Sequence, residues 1–474
     1  MNRREFLGMA GVTVVGVGAA GSANWLLERK SAAKAGRFIS NPGFHPPIVT
    51  VRHAAQSVAP GLMLVALGGP LIFDNQGEPI WYRAVPGKTT TNLRLQTLHG
   101  APVLTWWQGT LHGGFGDGEV VVVDASYREV TRIRAGNGLA ADLHECAITP
   151  SNTALITAYS KRPADLSHIG GDRRGMLLDS VLQEVDVASG RVLWEWHASD
   201  HIALSESHVG AKPGAPYDFF HINSATLDDD GNVIVSARNT WAAYKIDRRT
   251  SDVIWRLGGK RSTFRMADGA TFAWQHDVLP HQGDVTLFDD EASPKVGAQS
   301  RGLRLHLDAA THTAEVVQQY VHPDPLVTGT QGSMQPLTNG NVVVGWGAQP
   351  YVSEFSADGT LLFDAHLGSK TGSYRAYREP WHARPADRPA LAVARRTGGP
   401  ARAYASWNGA TEVASWRLDA GARPGSLRRA ANVRRTGFET SIPVPRGAAH
   451  VAVAALDASG SVLAMSHTAT AATE

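Results

Sequence analysis

Three histidines occupy one recurring position along this chain: His144 in Asp142-Leu143-His144-Glu145, His221 in Phe219-Phe220-His221-Ile222-Asn223, and His276 in Trp274-Gln275-His276-Asp277. Each opens an alternating apolar segment that leads into a hairpin turn, and the next such position holds Thr330-Gln331-Gly332-Ser333. Imidazole can act near neutral pH as base, acid, nucleophile or metal ligand. Pairing Leu227 with Asn232 across the Asp228-Asp229-Asp230-Gly231 turn sets His221 opposite Arg238, and period-two alternation sends Asn223 to the face of His221. The equivalent position opposite His144 is Tyr159. A buried cationic cluster is costly unless an anion offsets it, so His221, Asn223 and Arg238 point to an anionic ligand. Arginine stays protonated and forks onto two oxygens of a tetrahedral anion; its charge also lowers the pKa of nearby imidazoles, leaving a neutral, nucleophilic histidine.

Residues this far apart must be brought together by a repeated architecture. An apolar segment ending in an acidic or polar turn, followed by a second apolar segment, recurs with turn markers Asp74, Asp124, Asp186, Asp247, Asp308 and Ser356. Each copy follows another hairpin, giving four short strands per unit, and helix-period patterns are scarce. A unit of about 50 residues with four strands is the signature of a propeller blade, since a lone twisted sheet must stack on neighbours to bury both faces. The expectation is an all-β fold: a six-bladed β-propeller over residues 45–384, with the first strand of each blade lining the central channel. The first blade is poorly delimited. Beyond residue 385 the composition shifts to Ala, Arg and Gly, with short strands at 391–395, 402–407, 412–418, 450–456 and 461–466. This segment, 385–474, is expected to be a small immunoglobulin- or fibronectin-like β-sandwich, with the last eight residues fraying.

Composition narrows the function classes. Forty-five basic against forty-three acidic residues give +2 overall, and the densest basic run, Arg428 to Arg435, reads as a solvated face, so nucleic acid is not an expected partner. One cysteine, Cys146, rules out an intramolecular disulfide and a thiolate zinc site; two residues after His144, it reads as channel packing. Residues 1–35 carry Arg3-Arg4 before a Gly/Ala-rich apolar stretch, the layout of a twin-arginine export signal, which implies the Tat machinery as partner and a periplasmic, envelope or secreted location. No later run reaches the roughly 18 apolar residues of a membrane helix, so the body is expected to be soluble. Gly113 to Gly118 reads as a flexible turn, Gly258-Gly259-Lys260-Arg261 departs from the P-loop pattern, and Asp289-Asp290-Glu291 reads as a solvated loop.

Asp-Leu-His-Glu, then Phe-His-Ile-Asn-Ser with Ser-Ala-Arg-Asn, then Ile-Trp-Arg-Leu-Gly-Gly and Trp-Gln-His-Asp, in that order from about Gly61 to Trp381, resemble the arylsulfotransferase family. The resemblance implies a six-bladed, exported bacterial propeller that moves a sulfuryl group from a phenolic sulfate ester to a phenol, without a nucleotide donor or other cofactor, through a sulfated histidine. Carried over, it makes His276 the nucleophile, gives His221, Arg238 and Asn223 the sulfuryl oxygens, and sets His144 near the leaving phenolate. Thr330 or Ser333 completes the cage. Trp274, Phe219 and Phe220 flank this site and are expected to stack a phenolic ring. Two rival readings use the same residues: a metalloenzyme with three histidine ligands, and a non-catalytic propeller that binds ligands. The family also differs here, because members with a disulfide and an N-terminal sandwich contrast with this single-cysteine chain and its C-terminal module. The oligomeric state is left open.

Overall fold

The computed structural model describes residues 38–370, 372–395 and 399–471, all within one compact unit. The expected export signal lies outside the described residues. Alternating apolar segments and acidic turns produce a nearly all-β chain whose sheets are antiparallel and sequential. Among the described residues helix is limited to single turns such as Ala198–His201. No helix among the described residues is long and apolar enough to cross a membrane.

Six sheets precede residue 380. Sheet one is ordered Tyr377–Glu379, Leu62–Ala66, Pro70–Phe73, Pro79–Tyr82; its first strand comes from the far end of this region. Sheet two runs from Thr89–Leu98 to Glu129–Ile133, sheet three from Cys146–Ile148 to Val192–His197, and sheet four from Ile222–Leu227 to Val253–Gly258. Sheet five runs from His276–His281 to Thr313–Val321 and adds the parallel pair Arg265–Met266. Sheet six runs from Ser333–Pro336 to Leu361–His366 and is extended by Thr50–Ala54.

Six apolar cores separate these sheets. Trp81 and Ile72 meet Trp106 and Val121 between sheets one and two; Trp107 and Val122 meet Ile156 and Val185 between two and three. Trp196 and Leu182 meet Phe220 and Tyr244 between three and four. The series continues through Leu257 with Leu287, and Phe288 with Trp346. Val343 and Phe363 of sheet six then pack on Met63 and Phe73 of sheet one, so the last core returns to the first. Each sheet thus buries both faces against neighbours, which an isolated twisted sheet could not do.

Two further sheets follow, Ala390–Arg395 with Ala401–Ser406 and Glu439–Pro443, and Arg428–Arg434 with Ser415–Gly421, His450–Leu456 and Val462–Met465, sharing a core around Trp407 and Trp416. Gly409 N–H donates to the Ile80 carbonyl at 2.7 Å, and Tyr127 Oη donates to the Gly409 carbonyl at 2.9 Å, tying this part to sheets one and two.

Where the last eight residues were expected to fray, those described hold their place: Ala469–Thr470 pairs with His450–Leu456 and Ala471 is buried. The basic run at 428–434, expected to be a solvated face, forms an exposed edge strand. In sheet four, Leu227 pairs with Val233 rather than Asn232, and a β-bulge between Ile222 and Ser224 restores the offset, so Arg238 N–H still donates to the His221 carbonyl at 3.0 Å. The bulge falls on Asn223 and breaks the alternation that was to aim it with His221.

Candidate active site

The three histidines, each at or just before the start of its sheet's first strand, come together. His144 and His221 stand edge to face with ring centroids 4.9 Å apart. Tyr374 bridges the set, 5.7 Å from the His144 ring and 6.3 Å from that of His276. Tyr159 lies 6.3 Å from His144 and 6.4 Å from His221. His144 and His276 are buried, and His221 nearly so. Gly114, in the glycine-rich turn of sheet two, crosses so close to His221 that a Cβ there would lie 2.9 Å from its Cε1.

Each imidazole has a carboxylate on Nδ1: His144 pairs with Asp142, His221 with Asp218, and His276 with Asp290 at 2.7 Å. The Gln331 backbone N–H donates to His276 Nε2 at 3.2 Å. A nitrogen that accepts from an amide carries no proton, so the neutral ring holds its hydrogen on Nδ1, directed at Asp290. Burial first, then the charge of Arg238 and the other imidazoles, holds His276 well below its usual 6.5. Burial likewise lowers His221, against the opposing pull of Asp218.

The carboxylates differ. Burial alone would raise Asp142, but the His144 contact and the Gly116 N–H bring it below its ordinary value. Burial raises Asp290 well above its ordinary value, against Arg238. The acidic run 289–291, expected to be solvated, is corrected here: Asp289 and Asp290 are wholly buried, one ion-paired to Arg301 at 3.0 Å and the other on His276.

Arg238 lies over the Trp274 ring at 4.7 Å and donates to the Gly329 carbonyl at 2.9 Å, while its buried Nε has no partner. An unpaired buried N–H costs free energy until something accepts from it. Trp274 itself donates to the Pro294 carbonyl at 3.0 Å. Asn223 faces differently from the expectation: Nδ2 donates to the Gln275 carbonyl at 2.6 Å, and its own carbonyl accepts from Arg375.

Other expected residues are not brought to the cluster. Phe220 and Phe219 are wholly buried in the core between sheets three and four, against Trp196 and Tyr244, so neither offers a ring face to a ligand. The Ser333 hydroxyl is engaged with the Ala376 backbone at the seam of sheets six and one. Cys146 lies in the core between sheets two and three, its thiol pushed up to about 12 by burial. Thr330 is exposed and lines a cleft of 740 Å³ with Gln331, Tyr374, Thr90 and Thr91.

Sequence reasoning missed Asp142, Asp218, Asp290, Tyr374 and Arg375. The spacings Asp142-Leu143-His144 and Asp218-Phe219-Phe220-His221 were usable signals; the others meet the cluster only through tertiary structure. Among the described residues no group of three or more His, Cys, Asp or Glu side chains is disposed to hold a metal ion.

Among curated proteins no relative matches the sequence. Solved structures with a similar trace include a protein of unknown function from Bacteroides caccae (13% identity, 67% of this chain and 98% of that one, TM-score 0.42). They also include a virginiamycin B lyase from Staphylococcus aureus (8%, 76% and 96%, 0.35) and the Dos1 propeller (12%, 69% of each, 0.34). A family profile described as Arylsulfotransferase (ASST) matches residues 94–368, which include every histidine of the cluster together with Arg238 and Gln331, and over that span of more than half its length the chain belongs to the arylsulfotransferase family.

Proposed function

We propose that this protein is an aryl sulfotransferase that moves a sulfuryl group from a phenolic sulfate ester to a phenol through a sulfohistidine on His276. The observation that carries the reading is the state of that ring: buried, neutral, its proton on the Asp290 side and its Nε2 lone pair marked by the Gln331 N–H. A donor that displaces this hydrogen bond meets a nucleophile. The Nε2 lone pair attacks sulfur, the S–O(aryl) bond breaks with its electron pair on the phenolate, and an N–S bond forms.

Arg238, through its free Nε, and His221 take the sulfuryl oxygens, where preorganised donors favour the charge that spreads over them in the transition state. His144, held by Asp142 on its Nδ1, carries the proton to the leaving phenolate. In the return step His144 takes the acceptor phenol's proton, the phenol oxygen bonds to sulfur, and the N–S electron pair returns to Nε2. No nucleotide donor or cofactor is needed for this cycle. Trp274, beneath Arg238, remains the aromatic wall of choice for the phenolic ring.

Six sheets whose cores return to the start support a six-bladed propeller with the reaction at its axis, and the two later sheets around Trp407 and Trp416 support a C-terminal sandwich. Export through the twin-arginine route remains our reading of Arg3-Arg4. Initial rates over a grid of donor and acceptor concentrations test the cycle. Parallel double-reciprocal lines are expected; intersecting lines would mean direct transfer in a ternary complex and would overturn the sulfohistidine.

A further inference from the structure

Arg375 has a side chain with 0% exposure and touches all three histidine-bearing strands at once. Nη1 donates to Glu145 Oε2 at 2.9 Å, Nη2 donates to the Asn223 carbonyl at 2.8 Å, and Nε lies 3.2 Å from Asp277 Oδ1. Glu145 follows His144, Asp277 follows His276, and Asn223 is two residues beyond His221. The Asn223 carbonyl is available because the bulge of sheet four falls there. One planar cation therefore reaches a residue near each imidazole, through two hydrogen bonds and, at Asp277, an ion pair, and its fork geometry sets these directions together.

Arg375 also lies two residues before Tyr377–Glu379, the strand that the far end of this region supplies to sheet one. Seating that strand and locking the histidine spacing are thus one event. We infer that Arg375 is the positioning residue of the reaction centre: it sets the mutual spacing of His144, His221 and His276, makes site assembly depend on closure of sheet one, and adds a fixed positive charge beneath His276. The inference rests on the sulfohistidine reading above.

The charged and titratable groups facing His276 are Asp290 on its own hairpin, Arg238 and His221 from sheet four, His144 from sheet three, and Tyr374 and Arg375 from the closing segment. Removing the Arg375 cation favours the imidazolium, so the acid limb of the first half-reaction moves to higher pH; a residue that only held the fold would leave that limb in place. Around Arg375 itself stand Glu145, Asp277, Arg94, Tyr374 and Tyr377, so Arg375→Met strands acidic partners in the interior. Arg375→Met with Asp277→Asn removes a charge of each sign and keeps the test open where the single variant fails to fold, and Arg375→Lys keeps the charge without the fork.

The experiment is stopped-flow release of phenolate from a chromogenic aryl sulfate by the full chain, over pH, with folding checked by circular dichroism. Folded Arg375→Met/Asp277→Asn is expected to keep a stoichiometric burst with a rate constant lower by about 10²-fold, the scale of an ångström-sized misplacement. Arg375→Met shifts the acid limb upward, and Arg375→Lys restores the limb but not the rate. A folded Arg375 variant with wild-type burst rate and wild-type acid limb overturns the inference. A wild-type protein that turns over without any burst instead sinks the sulfohistidine reading, a separate outcome.

Discussion

The two halves of the site are built differently. Sheets three, four and five each deliver an imidazole with a carboxylate on its Nδ1. Sheets six, one and two and the segment joining them deliver a backbone amide at Gln331, a phenol at Tyr374, a guanidinium at the buried Arg375 and the threonine run 89–91; Gln331, Tyr374 and the threonines line the 740 Å³ cleft. Proton-active groups crowd one side and the cleft opens on the other. Within the reactive half the dyads also diverge, since Asp142 is held below and Asp290 well above the ordinary carboxylate value. Paired titratable groups pushed apart by their surroundings are the mark of divided acid, base and nucleophile roles.

The contrast can be broken most sharply at the reactive half. His276→Ala is expected to lose the phenolate burst and about 10³-fold or more in kcat, because no other group replaces a nucleophile. Stopped-flow absorbance reads it directly. Next in size, Arg238→Met removes the buried cation and its free Nε, with an expected loss of about 10²–10³-fold in the burst rate constant, the scale of one transition-state donor.

A smaller effect separates His276 from an ordinary imidazole. Because its pKa is lowered, the neutral form persists as pH falls below 6.5, so the burst rate stays flat through that value and declines only further into acid. A half-maximal point at 6.5 would mean that burial and Arg238 do not act as described. The smallest effect probes the cleft. Thr90 Oγ1 is buried without a partner, so Thr90→Val should leave the protein as stable or more stable, by about 1 kcal/mol, in thermal melts. If the hydroxyl serves an acceptor, the acceptor KM rises while the burst is unchanged.

The reactive half was legible in the sequence because a repeated hairpin brings the same position of each unit to one place. His144, His221 and His276 could be aligned on their hairpin turns before any contact was known. The opposite half was not legible, since its inner strand in sheet one comes from 377–379, some 300 residues from its partner Leu62–Ala66, and nothing local in Tyr374-Arg375 announces that pairing. Arg238 was placed opposite His221 through a register one residue off at Leu227, and the bulge at Asn223 cancelled the error. The same bulge defeated the alternation argument for Asn223.

Asp290 was misread because acidic runs are usually solvated, whereas this one ends the strand paired with His276 and turns inward. Phe220 failed for the converse reason. Proximity in sequence to His221 says nothing about face, and its ring fills the core between sheets three and four.

The central claim is that sulfur passes through His276. Rapid mixing with an aryl sulfate in the absence of acceptor, quenching in alkali and peptide mapping by mass spectrometry should find one sulfuryl adduct, on the peptide containing His276, that disappears when a phenol is added before the quench. An adduct on His144, His221 or a tyrosine, or no adduct under conditions that release one phenolate per protein, would contradict the account.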